Sequence, residues 1–171
     1  SWVYGLLEFN QSEFRNNIIN ASSPSNSGNS AYGLIDADES VISGNTIQIN
    51  HYRGAYTRLI KISGSENNRS VVENNTIYAQ FHRPTYGGNY DGFYGFITLE
   101  GYTDFINNSV TRETDESWTS GGEHALLTSQ GNGNNISDNI IVSSQTAPVV
   151  EFTDSNNQTF TNNQIHSTRG S

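Results

Sequence analysis

Apolar and polar residues alternate along this chain in a recurring phrase. An apolar residue is followed by two others, an asparagine, one other and a second apolar residue. The six copies are Phe14-Asn17-Ile19, Ile42-Asn45-Ile47, Val72-Asn75-Ile77, Phe105-Asn108-Val110, Ile136-Asn139-Ile141 and Phe160-Asn163-Ile165. Their asparagines are 28, 30, 33, 31 and 24 residues apart. A period in this range is the signature of stacked structural repeats.

A second apolar run precedes each phrase. The runs are Leu6-Leu7-Glu8-Phe9, Leu34-Ile35-Asp36-Ala37, Leu59-Ile60-Lys61-Ile62, Phe96-Ile97-Thr98-Leu99, Ala125-Leu126-Leu127-Thr128 and Val149-Val150-Glu151-Phe152. Each repeat therefore reads strand, turn, strand, turn. The runs are too short for helices, are bounded by Gly, Asn and Ser, and show no sustained 3.6-residue periodicity. One coil cannot bury its apolar face alone, but each strand can pair in parallel with its counterpart one coil away. Six coils at a strand spacing of about 4.8 Å give a rod about 29 Å long. The expected fold is all-β: a parallel β-helix solenoid of about six coils with open ends. The asparagines suit its corners, because Asn tolerates the left-handed backbone of a sharp bend. Asn17, Asn45, Asn75, Asn108, Asn139 and Asn163 are expected to stack as a hydrogen-bonded structural ladder.

Strand alternation predicts the faces. With Leu7/Phe9, Ile35/Ala37, Ile60/Ile62, Ile97/Leu99, Leu126/Thr128 and Val150/Phe152 inward, the outward column reads Glu8, Asp36, Lys61, Thr98, Leu127 and Glu151. Glu8 and Asp36 would lie one strand spacing apart, near the separation of a retaining glycosidase pair. A solvated face on which Lys61 offsets Asp36 explains the same residues. One position earlier, Leu6, Leu34, Leu59, Phe96, Ala125 and Val149 also face out by parity. Such a stripe calls for a cover of loops or a partner chain. Tyr4, Tyr32 and Tyr94 precede it by two residues, with Tyr56 close to register, and could stack on sugars or pack under the same cover.

The segments "NNTI", "NNSV", "DNII" and "NNQI", preceded by "YGLI" or "YGFITL", resemble right-handed parallel β-helix repeats of the pectin-lyase-like superfamily. The resemblance spans nearly the whole chain and implies right-handed coiling, in keeping with the rule for parallel crossovers. It leaves function open, since that superfamily holds polysaccharide lyases, glycoside hydrolases, mannuronan epimerases, phage tailspikes and non-catalytic surface proteins.

The long connections, about residues 20 to 31, 48 to 57, 78 to 93 and 111 to 123, all leave from the asparagine side of the coil. They should cluster on one side of the rod, the usual place for a binding face. They carry His51, Tyr52, Arg53 and Tyr56; then Phe81, His82, Arg83, Tyr86, Tyr90 and Asp91; then Arg112, Glu113, Asp115, Glu116, Trp118, Glu123 and His124. A lyase or epimerase acting on a uronate needs a cation for the carboxylate and a base for the C5 proton. Arg53, Arg83 or Lys61 could supply the cation; His51, His82 or a tyrosine the base. Tyr4, Tyr32, Tyr94, Tyr86 and Trp118 are the candidate carbohydrate-binding aromatics. The stretch from Lys61 to Glu100 resembles lyases in which a Lys on one coil and an Arg on a later coil act together. Glu100 stands where that Arg would be wanted. The Asp pairs of β-helical galacturonan hydrolases have no clear counterpart, Asp36 and Asp38 lacking a flanking motif.

Composition narrows the partners. The 171 residues suit one domain, and a hydrophobic content of 33% suits a thin solenoid core. There are 23 Asn against one Lys, and the net charge is −9, which disfavours nucleic acid and anionic membranes. No Cys reports on redox compartment, and no apolar stretch is long enough to span a membrane. Seven Asn-x-Ser/Thr sequons are about what this composition produces by chance. No motif requires a cofactor or a transition metal, the four histidines showing no ligand spacing. Calcium suits an acidic surface of this kind, without a ligand spacing that compels it.

Both ends read as open coils without a capping helix. From Asn163 through the terminus to Leu6 of another copy is 14 residues, the same as from Asn45 to Leu59. Residues 1–171 are therefore expected to form a single β-helix segment, part of a longer protein or a unit that stacks on itself end to end or through the apolar column. The expected role is an extracellular or virion-surface structural or carbohydrate-binding segment of a fibre, adhesin or tailspike. The alternative is a polysaccharide lyase or epimerase, less readily a hydrolase, in a loop-lined cleft.

Overall fold

The structure is a computed structural model and describes residues 3–4, 7–22, 31–32, 34–51, 60–81, 96–114, 125–144 and 148–168. Every regular element among them is a strand. Three six-stranded parallel sheets stack along one axis, and each of six coils contributes one strand to each sheet. This is the expected parallel β-helix, with one correction: a coil holds three strands, not two. In the first coil these are Leu7–Asn10, Glu13–Arg15 and Ile18–Ser22. In the fourth they are Ile97–Glu100, Thr103–Ile106 and Ser109–Thr114. In the sixth they are Val150–Asn156, Thr159–Thr161 and Gln164–Ser167. The asparagine phrase straddles a corner, so its two apolar residues belong to different sheets.

The core is a set of stacked columns. In the first sheet Leu7, Ile35, Ile60, Ile97, Leu127 and Val150 align, as do Phe9, Ala37, Ile62, Leu99, Ser129 and Phe152. The second sheet contributes Phe14, Ile42, Val72, Phe105, Ile136 and Phe160. The third contributes Ile19, Ile47, Ile77, Val110, Ile141 and Ile165. These β-branched and aromatic side chains fit a pleated surface that is buried on one side. In the inner coils they are closed off from solvent and form one apolar cluster.

Two expectations about faces need correction. In the fifth coil Leu127 and Ser129 point inward, not Leu126 and Thr128, because Leu127 pairs with Ile97. The outward column therefore reads Glu8, Asp36, Lys61, Thr98, Thr128 and Glu151. The supposed outward apolar stripe does not face out. Leu34, Phe96 and Val149 are 5%, 2% and 9% exposed, and Leu126 and Ala125 are fully buried. They sit in the bend that enters each first-sheet strand, where strand alternation does not apply, and all but Ala125 belong to the core cluster. Leu6 and Leu59 lie outside the described residues.

The corner between the second and third sheets divides two tasks that the sequence suggested for one residue. The left-handed backbone belongs to the residue before each ladder asparagine: Asn16, Gly44, Asn74, Asn107, Asp138 and Asn162 have φ between 53° and 65°. Asn, Asp and Gly bear that conformation at least cost. At Gly44 a Cβ would also run into Asn16 Oδ1. The ladder asparagine itself is freed to bond. Asn45, Asn75, Asn108 and Asn139 are buried. Each backbone N–H from Asn17 to Asn139 donates to Oδ1 of the next coil's asparagine at 2.8–3.0 Å. Each Nδ2 donates to that same oxygen. From Asn45 onward Nδ2 also donates to a carbonyl of the preceding coil, at 2.9 Å in every case.

A second ladder lines the corner between the first and second sheets. Ser12 N–H donates to Ser40 Oγ, Ser40 N–H to Ser70 Oγ, and Thr103 N–H to Asn134 Oδ1. Ser40, Ser70, Thr103 and Asn134 are buried, and their hydroxyl or amide groups return hydrogen bonds to nearby carbonyls. These residues stand two positions before the first apolar residue of each phrase, so a polar residue recurs there in every copy.

Candidate functional site

The third-sheet strands of coils two, three and four end in register. His51, Phe81 and Thr114, the last residues of their strands, are aligned as one column. The segments 52–59, 82–95 and 115–124 that follow lie outside the described residues; the expected starts of the four connections, at about residues 20, 48, 78 and 111, fall inside the strands Ile18–Ser22, Thr46–His51, Thr76–Phe81 and Ser109–Thr114. His51 is described by its backbone alone. Arg53, His82, Arg83, Tyr86, Tyr94 and Trp118 lie outside the described residues, as do Tyr52, Tyr56 and His124. Tyr4 and Tyr32 are brought together: Val3–Tyr4 and Ala31–Tyr32 pair in parallel, with the two tyrosines opposite each other.

On the outward face of the first sheet a few side chains bond to one another. Lys61 Nζ lies 3.1 Å from Glu100 Oε2, so the ammonium pairs with Glu100 and not with Asp36. Gln130 Nε2 donates to Glu100 Oε1 at 2.9 Å. Ser63 Oγ donates to Asp38 Oδ1 at 2.8 Å. Thr98, at the centre of the column, is only 2% exposed, so the face is covered there. Glu8 and Asp36 are opposite one another and exposed.

Two polar clusters escaped the sequence reading. At the first corner Glu39 accepts hydrogen bonds from Ser65 Oγ at 2.6 Å, Gln11 Nε2 at 2.8 Å and Asn68 Nδ2 at 2.9 Å. One carboxylate thereby joins coils one, two and three. The Ser65 hydroxyl chiefly, then the Gln11 and Asn68 amides, hold its carboxyl below the usual value of 4.5. A depressed carboxyl favours the folded form above its unfolded pKa, and that contribution is lost as pH falls through the folded value. Acidification through that lowered pKa is therefore expected to release Ser65 and Asn68 before the core melts. Their backbone amide exchange should rise while that of Val72 does not. On the second sheet Arg69 grips Asp104 with two bonds, of 2.9 and 2.7 Å, and donates to Gly133 O at 2.9 Å. This forked pair spans coils three to five, and Asp104 keeps the guanidinium protonated above its ordinary range. Sequence spacing alone could not reveal either cluster, because Ser65–Arg69 detours from the repeat.

Arg112 is a further surprise, 2% exposed in an inward column between Ala79 and Ser143. Among the described residues no three acidic or histidine side chains gather as a metal site. His166 is exposed on the last coil. No helix among the described residues is long and apolar enough to cross a membrane. Comparison with protein-family models, characterised proteins and solved structures gives no match to this chain. The functional reading therefore rests on the geometry itself.

Proposed function

We propose that this chain is a structural shaft segment of an extracellular or virion-surface fibre, adhesin or tailspike, built as a right-handed β-helix of pectin-lyase-like kind. The observation that carries the reading is how its repeated polar residues are used. Both series of corner side chains bond coil to coil along the rod. On the broad face Lys61 pairs with Glu100, which also accepts from Gln130. A shaft needs such bonds along its axis, whereas an active site needs groups held ready for a ligand. Lys61 supports the choice: a cation meant for a uronate carboxylate would not be neutralised by Glu100. For carbohydrate contact the candidate aromatics within the described backbone are Tyr4 and Tyr32, on paired strands. Neither calcium nor another cofactor is required for the shaft role.

The reading is tested by incubating the chain with pectate, alginate and other acidic polysaccharides, with and without calcium. Absorbance of the unsaturated uronate product is followed near 235 nm, together with reducing-end release. No turnover is expected. Turnover that disappears in Lys61→Ala or Arg83→Ala would replace the shaft by a lyase.

A further inference from the structure

The shaft reading above leaves open what meets the outer faces of the first and sixth coils, and the present inference rests on it. We propose that the sixth coil of one copy docks on the first coil of a second copy, continuing all three sheets and the asparagine ladder head to tail.

The apolar columns point to this occupant. Phe152, Phe160 and Ile165, inward residues of the sixth coil, are 43%, 40% and 39% exposed, whereas Ser129, Ile136 and Ile141 one rung earlier are fully buried. At the opposite end Phe9, Phe14 and Ile19 are only partly buried. Continuing the columns sets Phe152 on Phe9, Phe160 on Phe14 and Ile165 on Ile19 of the second copy. In each of the three sheets an apolar residue meets an apolar residue.

The ladder adds direction. Each asparagine donates forward, so the sixth coil presents the Asn163 N–H and the first presents Asn17 Oδ1, to which no described group of an earlier coil donates. Asn17 Nδ2 turns back to Arg15 O of its own coil at 2.9 Å, where every later ladder asparagine bonds the preceding coil. Docking gives Asn163 N–H the oxygen of Asn17, and gives Asn17 Nδ2 the carbonyl of Phe160. The neighbouring backbone series behaves alike. Asn16 N donates to Ser43 O and Asp138 N to Thr161 O, so Asn162 N would donate to Arg15 O of the second copy. Two like ends brought together would oppose donor to donor and reverse the strand direction. The contact is therefore heterologous and does not close on itself, which makes a filament. One feature opposes it: Glu151 would sit over Glu8, and like charges opposite each other on a sheet repel. With a net charge of −9, docking should strengthen as salt rises.

The test uses Glu8→Cys and Glu151→Cys together, in a chain that has no other cysteine. Within one molecule these positions are five rungs apart, about 24 Å. Across the docked junction they are about 4.8 Å apart, inside the disulfide range. Oxidation at tens of micromolar protein in about 0.5 M salt is expected to give covalent dimers, trimers and longer species. Glu151→Cys alone should stop at dimers. Phe160→Arg or, separately, Ile165→Lys added to the double-cysteine chain should cut the species beyond dimer at least tenfold, with the β-sheet circular dichroism of each variant unchanged. Species no longer than dimers from the double-cysteine chain, or multimers indifferent to both end substitutions, would overturn the docking. That result would leave the shaft reading standing, which falls only to turnover of a polysaccharide.

Discussion

Replacing Asn108 by alanine is expected to be among the most damaging single changes in this chain. Asn108 is 2% exposed and lies mid-ladder. Its Oδ1 accepts both the N–H and the Nδ2 of Asn75, at 3.0 Å each, and its Nδ2 donates to Val72 O at 2.9 Å. Alanine removes the acceptor of two buried donors and the donor of a buried carbonyl. Asn75 Nδ2 keeps Ile42 O, so the loss falls on Asn75 N–H and Val72 O; at roughly 1–3 kcal/mol for each buried polar group left without a partner, the cost is about 2–6 kcal/mol. Chemical denaturation monitored by circular dichroism reads this directly. Asn108→Asp separates the roles, since it keeps an acceptor for Asn75 but loses the donor to Val72 and buries a charge. It should also be destabilising, and less so at low pH. Asn107, one residue earlier, is exposed; it holds a φ of 53°, and its Nδ2 makes a solvent-exposed bond to Asn74 Oδ1 at 2.6 Å. Asn107→Gly should therefore change little, whereas Asn107→Val should cost about 1–2 kcal/mol.

The second large effect belongs to the core and depends on the rung. Phe105 and Phe160 occupy the same column, but Phe105 is fully buried and Phe160 is 40% exposed. Phe105→Ala should cost about 3–5 kcal/mol, the usual loss when a large core aromatic is truncated. Phe160→Ala should cost less than half as much in the monomer, because much of its surface already meets water. The comparison is made on identical chemistry in one column, so propensity and backbone effects largely cancel. Equal losses at the two positions would mean that the sixth coil is covered in solution, as head-to-tail docking would make it, and lowering the protein concentration would then restore the difference.

Much of this architecture is legible in the sequence because a solenoid writes its cross-section once per coil. The apolar-x-x-Asn-x-apolar phrase gave the coil number, the register and the bonding role of Asn17 through Asn163. What misled was the assumption of straight strands. Leu34, Phe96 and Val149 were assigned outward by parity, but they enter through a bend, where the alternation of faces lapses. The corner expected at each phrase is there, but its left-handed residue is the one before the ladder asparagine, such as Asn74. The second ladder was present as a recurring Ser, Thr, Asn or Gln two residues before Phe14, Ile42, Val72, Phe105, Ile136 and Phe160. Its chemical variety hid it. The site was less legible. Lys61 and Glu100 meet diagonally across adjacent strands, and Arg69 reaches Asp104 from an insertion, so neither pair follows from spacing. Charged residues on a repeat surface do not announce whether they face a substrate or each other.

The account stands on the asparagine ladder, and side-chain amide hydrogen exchange read by nuclear magnetic resonance tests it most directly. The Nδ2 protons of Asn45, Asn75, Asn108 and Asn139 are each held by two acceptors and buried, and are predicted to exchange orders of magnitude more slowly than those of the exposed Asn16 and Asn132. Asn17, at the open first coil, should lie between. Ladder amides that exchange as fast as Asn16 and Asn132 would contradict the stacked coils and everything inferred from them.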